Sequence, residues 1–121
     1  MVLEIKTNPE KYFRQLLEIL GIFPPFKSLR LRQKEVFAQI LYYNHKFNAE
    51  NPTTAGRLLS DYKTKEEISS KLNISKANLY NIYKELRQTG LLIKDEIDPK
   101  YRYKYLHHPE IIFRFKEENG V

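Results

Sequence analysis

Hydrophobic positions along the chain recur with two periods, and the switches between them mark the elements. Residues 2–6, Val-Leu-Glu-Ile-Lys, alternate and read as a short strand. Thr7 and Asn8 then offer a cap for a helix with Pro9 in its first position. Tyr12, Phe13, Leu16, Leu17, Ile19 and Leu20 form one apolar stripe, and Lys11, Arg14, Gln15 and Glu18 take the opposite face. Gly21 is a stop, and Pro24-Pro25 bars continuation.

A second helix is expected from about Leu31 to Phe47, with Val36, Phe37, Ile40, Tyr43 and Phe47 on its buried stripe. Asn44 falls inside that stripe and needs a hydrogen-bond partner if it is buried. Residues 48–63 read as a long loop, with a short turn or strand at Arg57-Leu58-Leu59. Thr64 and Glu67 have the spacing of a capping box, which starts a short helix at 65 and carries it to about 72. Asn73 tolerates a left-handed turn, Ser75 caps a third helix running to about Gln88, and Gly90 ends it.

Beyond Gly90 the period becomes two. Leu91-Leu92-Ile93 starts a strand, Asp98-Pro99-Lys100 has turn chemistry, and Tyr101 to Leu106 alternates as the returning strand. Tyr101, Tyr103 and Tyr105 share one face, and Arg102 and Lys104 the other. After Pro109, Ile111, Phe113 and Phe115 alternate with Ile112, Arg114 and Lys116, which suggests one more strand before a frayed end.

The chain has 121 residues, room for one core, and 41% are hydrophobic. This gives residues 1–26 as a strand and amphipathic helix within the same core, 27–108 as the main module and 109–121 as a strand and tail. The fold class expected is mainly α with a small β-hairpin (α+β). The absence of cysteine removes disulfide scaffolds, Cys-based zinc fingers and thiol catalysis. No apolar run reaches a membrane span and no signal peptide opens the chain, so a cytoplasmic protein without a membrane partner is expected. The net charge is +6, and the excess is unevenly placed. Residues 27–46 carry Lys27, Arg30, Arg32, Lys34 and Lys46 against Glu35 alone, and a second excess lies in 64–104. Both blocks are helix-rich, which suits a nucleic-acid partner, an acidic protein partner or a merely solvated face.

Residues 64–90 agree with one another in a way that isolated helices need not. Ile68 and Leu72 sit at core positions of a first helix, and Ser69 is the small residue where a second helix crosses. Asn73 makes the turn, Ile74 fills the corner, and Leu79, Ile82 and Leu86 face back into it. This run, together with Arg87-Gln88-Thr89-Gly90-Leu91-Leu92, resembles a winged helix-turn-helix module with an extra N-terminal helix. The resemblance covers about residues 31–106. Asn73 stands where that family usually has Gly, and Ser69 where it usually has Ala. In style the segment is also similar to winged-helix proteins carried by phages and plasmids.

The resemblance implies a small, non-enzymatic, sequence-specific double-stranded DNA-binding protein acting in transcription regulation. Helix 75–88 would lie in the major groove and hairpin 91–106 on the backbone. At 100° per residue, the face opposite Leu79, Ile82 and Leu86 is Ala77, Asn81, Lys84 and Gln88, flanked by Lys76, Asn78, Tyr80 and Arg87. Asn can pair with adenine, and Lys with guanine or phosphate. The DNA-binding set expected is therefore Lys76, Ala77, Asn78, Tyr80, Asn81, Lys84 and Arg87, with Arg102 and Lys104 on phosphates. Asp95, Glu96 and Asp98 near the hairpin tip would repel a backbone, so contact is expected from the returning strand. The tyrosine row can equally pack on the core with its cations solvated. The alternative function is a winged-helix protein-interaction module in a replication, transcription or phage particle assembly. Monomer and homodimer both stay open. No Gly-rich phosphate loop or nucleophile motif is present, and His107-His108, adjacent on a strand, would point apart. No cofactor or metal is expected, and no catalytic residue is assigned.

Overall fold

The structure is a computed structural model that describes residues 2–106 and 108–118. It is mainly helical, with one two-stranded antiparallel sheet. The helices are α1 (Pro9–Leu20), α2 (Leu31–Glu50), α3 (Ala55–Leu59), α4 (Tyr62–Leu72) and α5 (Lys76–Thr89), and the strands are β1 (Leu92–Ile93) and β2 (Glu96–Ile97).

Helix α2 is the centre of the fold, since α1, α3, α4 and α5 all pack on it. Its Val36, Phe37, Ile40 and Leu41 are fully enclosed, and one core cluster joins them to Phe13 and Leu17 of α1, Ile68 of α4, and Leu79, Tyr83 and Leu86 of α5. At its start, the backbone N–H of Arg30 donates to Gln33 Oε1 at 2.8 Å. Asn44 is buried, and its side-chain oxygen accepts from Asn48 Nδ2 at 3.2 Å, one helical turn away. In α1, the cap falls on Asn8, whose Oδ1 accepts from Lys11 N at 2.9 Å. The helix ends at Gly21, which keeps right-handed φ of −62°.

Several sequence expectations need correction. Residues 2–6 form no strand, and the side chains of Val2, Leu3 and Ile5 are exposed. Helix α2 continues to Glu50, and the stretch read as a loop over 48–63 holds α3 and the start of α4. The capping box at Thr64 does not form. Asp61, in extended conformation, starts α4 three residues earlier, and Thr64 lies inside the helix with its hydroxyl donating to Leu58 O at 2.7 Å. That hydroxyl joins α3 to α4 in a buried position.

The hairpin is also shorter than expected. Leu92 pairs with Ile97 and Ile93 with Glu96, so the chain reverses at Lys94-Asp95, where Lys94 has φ of 59°. Asp98-Pro99 makes a separate turn in which Asp98 Oδ1 accepts from Lys100 N at 2.9 Å. The returning strand over 101–106 is absent, because β2 has already paired with β1. The alternation of side chains persists without a ladder. Tyr101 meets Phe26 edge-on and Tyr103 meets it at a tilt, with centroids 5.7 and 6.2 Å apart, and Tyr105 packs on Tyr12 at 5.2 Å and His45 at 5.7 Å. The strand expected over 111–116 is not formed either. His107 and the final Asn119-Gly120-Val121, read as half of a histidine pair and as a frayed end, lie outside the described residues.

Candidate nucleic-acid interface

The corner between α4 and α5 is set by three residues. Asn73 adopts φ 53° and ψ 49°, the left-handed conformation that asparagine tolerates better than most side chains. The chain then turns back far enough for Ile74 N to donate to Ser69 O at 3.1 Å. Ser69 donates its hydroxyl to Ile74 O at 2.6 Å, closing the turn from the other direction. Sequence reasoning gave Ser69 only a steric role; a hydroxyl five residues before a carbonyl across a tight turn was the signal. After the turn, Ser75 Oγ accepts from Asn78 N at 3.1 Å and starts α5. Gly90, with φ of 85°, ends it in the left-handed region that favours glycine.

Helix α5 is held by one face. Leu79, Ile82, Tyr83 and Leu86 are buried, whereas Ala77, Asn81, Lys84 and Gln88 on the opposite face are all exposed. The flanks differ from one another. Asn78 and Glu85 face the start of α2 across an open groove of about 910 Å³ that Asn81, Lys84, Gln88, Arg30 and Arg32 also line. Lys76, Tyr80 and Arg87 lie on the other flank, toward the first turn of α4 and the hairpin. There Lys76 is hydrogen-bonded to the Tyr62 hydroxyl, which raises the pKa of its ammonium. Lys65 pairs with Asp95 at 2.5 Å, its ammonium 5.0 Å from the Tyr83 ring centroid and 5.5 Å from that of Tyr80. Arg87 binds the other oxygen of the same carboxylate.

Asp95 therefore does not stand as an isolated repulsive charge at the tip. It binds the hairpin to α4 and α5 and engages Arg87, which sequence reasoning assigned to DNA. Tyr62 was missed because its segment read as loop; it is half exposed and meets the ammonium of Lys76, the first residue of α5, with its hydroxyl and ring. Tyr83, beneath this flank, has a buried hydroxyl with no protein partner among the described residues, and burial, aided by the Asp95 charge, pushes its pKa upward.

Arg102 and Lys104 are not brought beside the α5 face. They line a separate depression of about 680 Å³ with Asn44, Asn48, Pro52 and Glu96, and Arg102 Nε donates to Ile97 O at 2.8 Å. The basic run at the start of α2 is dispersed as well. Arg30 Nη2 reaches Glu85 Oε1 at 2.7 Å, and Arg32 Nη1 reaches Glu35 at 2.9 Å and Leu72 O at 3.1 Å. Of that run, Lys27, Arg30, Arg32 and Lys34, only Arg30 and Arg32 border the α5 groove; Lys27 is exposed elsewhere, and Lys34 Nζ lies beside Gly21.

Comparisons with protein-family models, with curated proteins and with solved structures find no match to this chain. The reading of the site therefore stands on geometry. Among the described residues, no group of three or more His, Asp or Glu side chains converges as a metal site, and no helix is long and apolar enough to cross a membrane.

Proposed function

We propose that this protein binds double-stranded DNA by laying α5 in the major groove, and that it reads sequence there as a transcriptional regulator. The observation that carries the reading is the division of α5. Its inner residues are locked into α2 and α4 by a left-handed turn, while Asn81, Lys84 and Gln88 project from the opposite face. A rigidly held helix with exposed amide and ammonium groups suits base edges, where Asn can pair with adenine and Lys with guanine. Asn78 and Asn81 supply the amides, Lys84 the ammonium, and Lys76 a phosphate contact near the helix start. Arg102 and Lys104, on another depression, are not assigned to this interface.

A second reading, a protein-docking module of the same fold, is favoured by the size of the hairpin. A ladder of two residues per strand, with its Asp95 engaged internally, offers little to a DNA backbone.

Binding to a random duplex library, followed by selection of preferred sites, separates the two. Four to six phosphate contacts give a slope of log affinity against log salt of about −4 to −5. Asn81→Ala should lose about 1–3 kcal/mol on a selected site and little on random duplex. Failure to bind duplex at low salt would leave the docking module as the better account.

A further inference from the structure

The groove beside α5 contains its own competitor for phosphate. Arg30, Arg32 and Lys84 line it, and the one carboxylate among its lining residues is Glu85, on the flank of α5. Arg30 Nη2 lies 2.7 Å from one Glu85 oxygen and contacts the other as well. The Arg30 side chain is 68% exposed and that of Glu85 34%, so the pair is solvated and weak enough to exchange. Arg32 has two separate partners, Glu35 and the carbonyl of Leu72 at the end of α4. Arg30 is thus the guanidinium in the groove that a single carboxylate withholds.

We propose that Glu85 is a specificity-determining residue, which keeps Arg30 from the phosphates of non-cognate DNA. The inference rests on the DNA-binding reading above and adds a role to a recognition-helix residue outside the base-reading set. Both Glu85 contacts fall on Arg30 Nη2, so a phosphate approaching the remaining guanidinium N–H groups meets the Glu85 charge beside them unless the pair opens, and an opened carboxylate still stands close to a polyanion. On non-cognate duplex, where α5 gains few base contacts, the pair stays closed and Arg30 adds nothing. On a preferred site the additional base contacts offset the opening, and Arg30 joins the backbone contacts. Discrimination of this kind comes from a built-in unfavourable element as much as from favourable ones.

The test is duplex binding to random-sequence DNA over a salt series, with wild type, Glu85→Gln, Arg30→Ala and the double variant. Circular dichroism melting serves as the folding control, and all four proteins should melt cooperatively. Wild type and Arg30→Ala should share one salt slope, because Arg30 is withheld. Glu85→Gln should bind several-fold more tightly and steepen the slope by about 0.9, the increment for one added phosphate contact. The double variant should return to the wild-type slope. A slope unmoved by Glu85→Gln, or steepened equally without Arg30, would overturn this inference alone. So would a flatter slope for Arg30→Ala than for wild type. No duplex binding by any of the four would overturn the DNA-binding reading and this inference with it.

Discussion

The corner of residues 62–90 and the later segment of residues 99–106 and 108–118 differ in what holds them. In the corner, two helices satisfy their own backbones and then share a buried face, with Ile68, Leu79, Tyr83 and Leu86 almost fully enclosed. Among its described residues the later segment has no ladder partner; after a 3₁₀ turn at Pro99–Tyr101 it is held by single side chains that reach the core. Tyr101, Tyr103 and Tyr105 do so. Further on, Ile112 and Phe113 are exposed and Phe115 is 100% exposed. A helix needs only local hydrogen bonds and one apolar stripe, whereas a strand needs a neighbour with unpaired edge groups. β1 and β2 use each other, and the chain beyond them keeps the alternation of a strand without becoming one.

The sharpest way to test that contrast is truncation at matched positions. Ile82→Ala, on the buried face of α5, should cost ~2–5 kcal/mol in chemical denaturation, through lost burial and a residual cavity. Tyr103→Ala, which removes a half-buried ring packed at a tilt against Phe26, should cost less, about 1–2 kcal/mol in proportion to the area it covers. Gln88→Ala and Phe115→Ala, both exposed, should each fall within about 0.5 kcal/mol. A loss at Phe115 comparable with that at Ile82 would mean that residues 111–116 are packed, and the contrast would fail.

A smaller effect concerns the polar strap between α1 and α4. Glu10 Oε1 accepts from Lys71 Nζ at 3.1 Å, and the ammonium lies 4.8 and 5.0 Å from the ring centroids of Tyr42 and Tyr43. The Lys71 hydrogen bond holds the Glu10 carboxyl below its ordinary value of 4.5 despite some desolvation. Burial pulls the Lys71 ammonium down, but Glu10 and Tyr43 outweigh it and leave its pKa above 10.5. The Glu10 contribution is present above its unfolded pKa and is lost as pH falls through its lower folded value. The Lys71 contribution is present below its unfolded pKa and is lost as pH rises through its higher folded one. Both partners are partly exposed, so Glu10→Gln should cost only about 0.5 kcal/mol at pH 7. In denaturation series the difference from wild type should shrink between pH 5 and pH 3; a constant difference would show that the pair is not its source.

The legible parts of the chain were those whose signals are local. Asn8, Asn73, Ser75 and Gly90 mark helix ends by their own conformational or hydrogen-bonding chemistry, and each does so in the structure. The phase of α5 followed from Leu79, Ile82 and Leu86, so its exposed face could be named residue by residue. What was illegible depended on distant partners. Thr64 looked like a cap until Leu58 O was placed beside it. The hairpin turn at Lys94-Asp95 has no glycine or asparagine to announce it, whereas Asp98-Pro99 does look like a turn and drew the strand ends outward. The engagement of Arg87 by Asp95 and of Arg30 by Glu85 also lay beyond reach, because each pair joins separate elements.

The central claim is that the exposed face of α5 is a DNA-reading surface. Titration of the ¹⁵N-labelled protein with duplex DNA at low salt, followed by amide chemical shifts, tests it most directly. The largest shifts are expected at Ala77, Asn78, Asn81 and Lys84, with smaller ones at Arg30 across the groove, and residues 111–116 should stay unmoved. Shifts confined to the depression around Arg102 and Lys104, or none at all, would contradict the account.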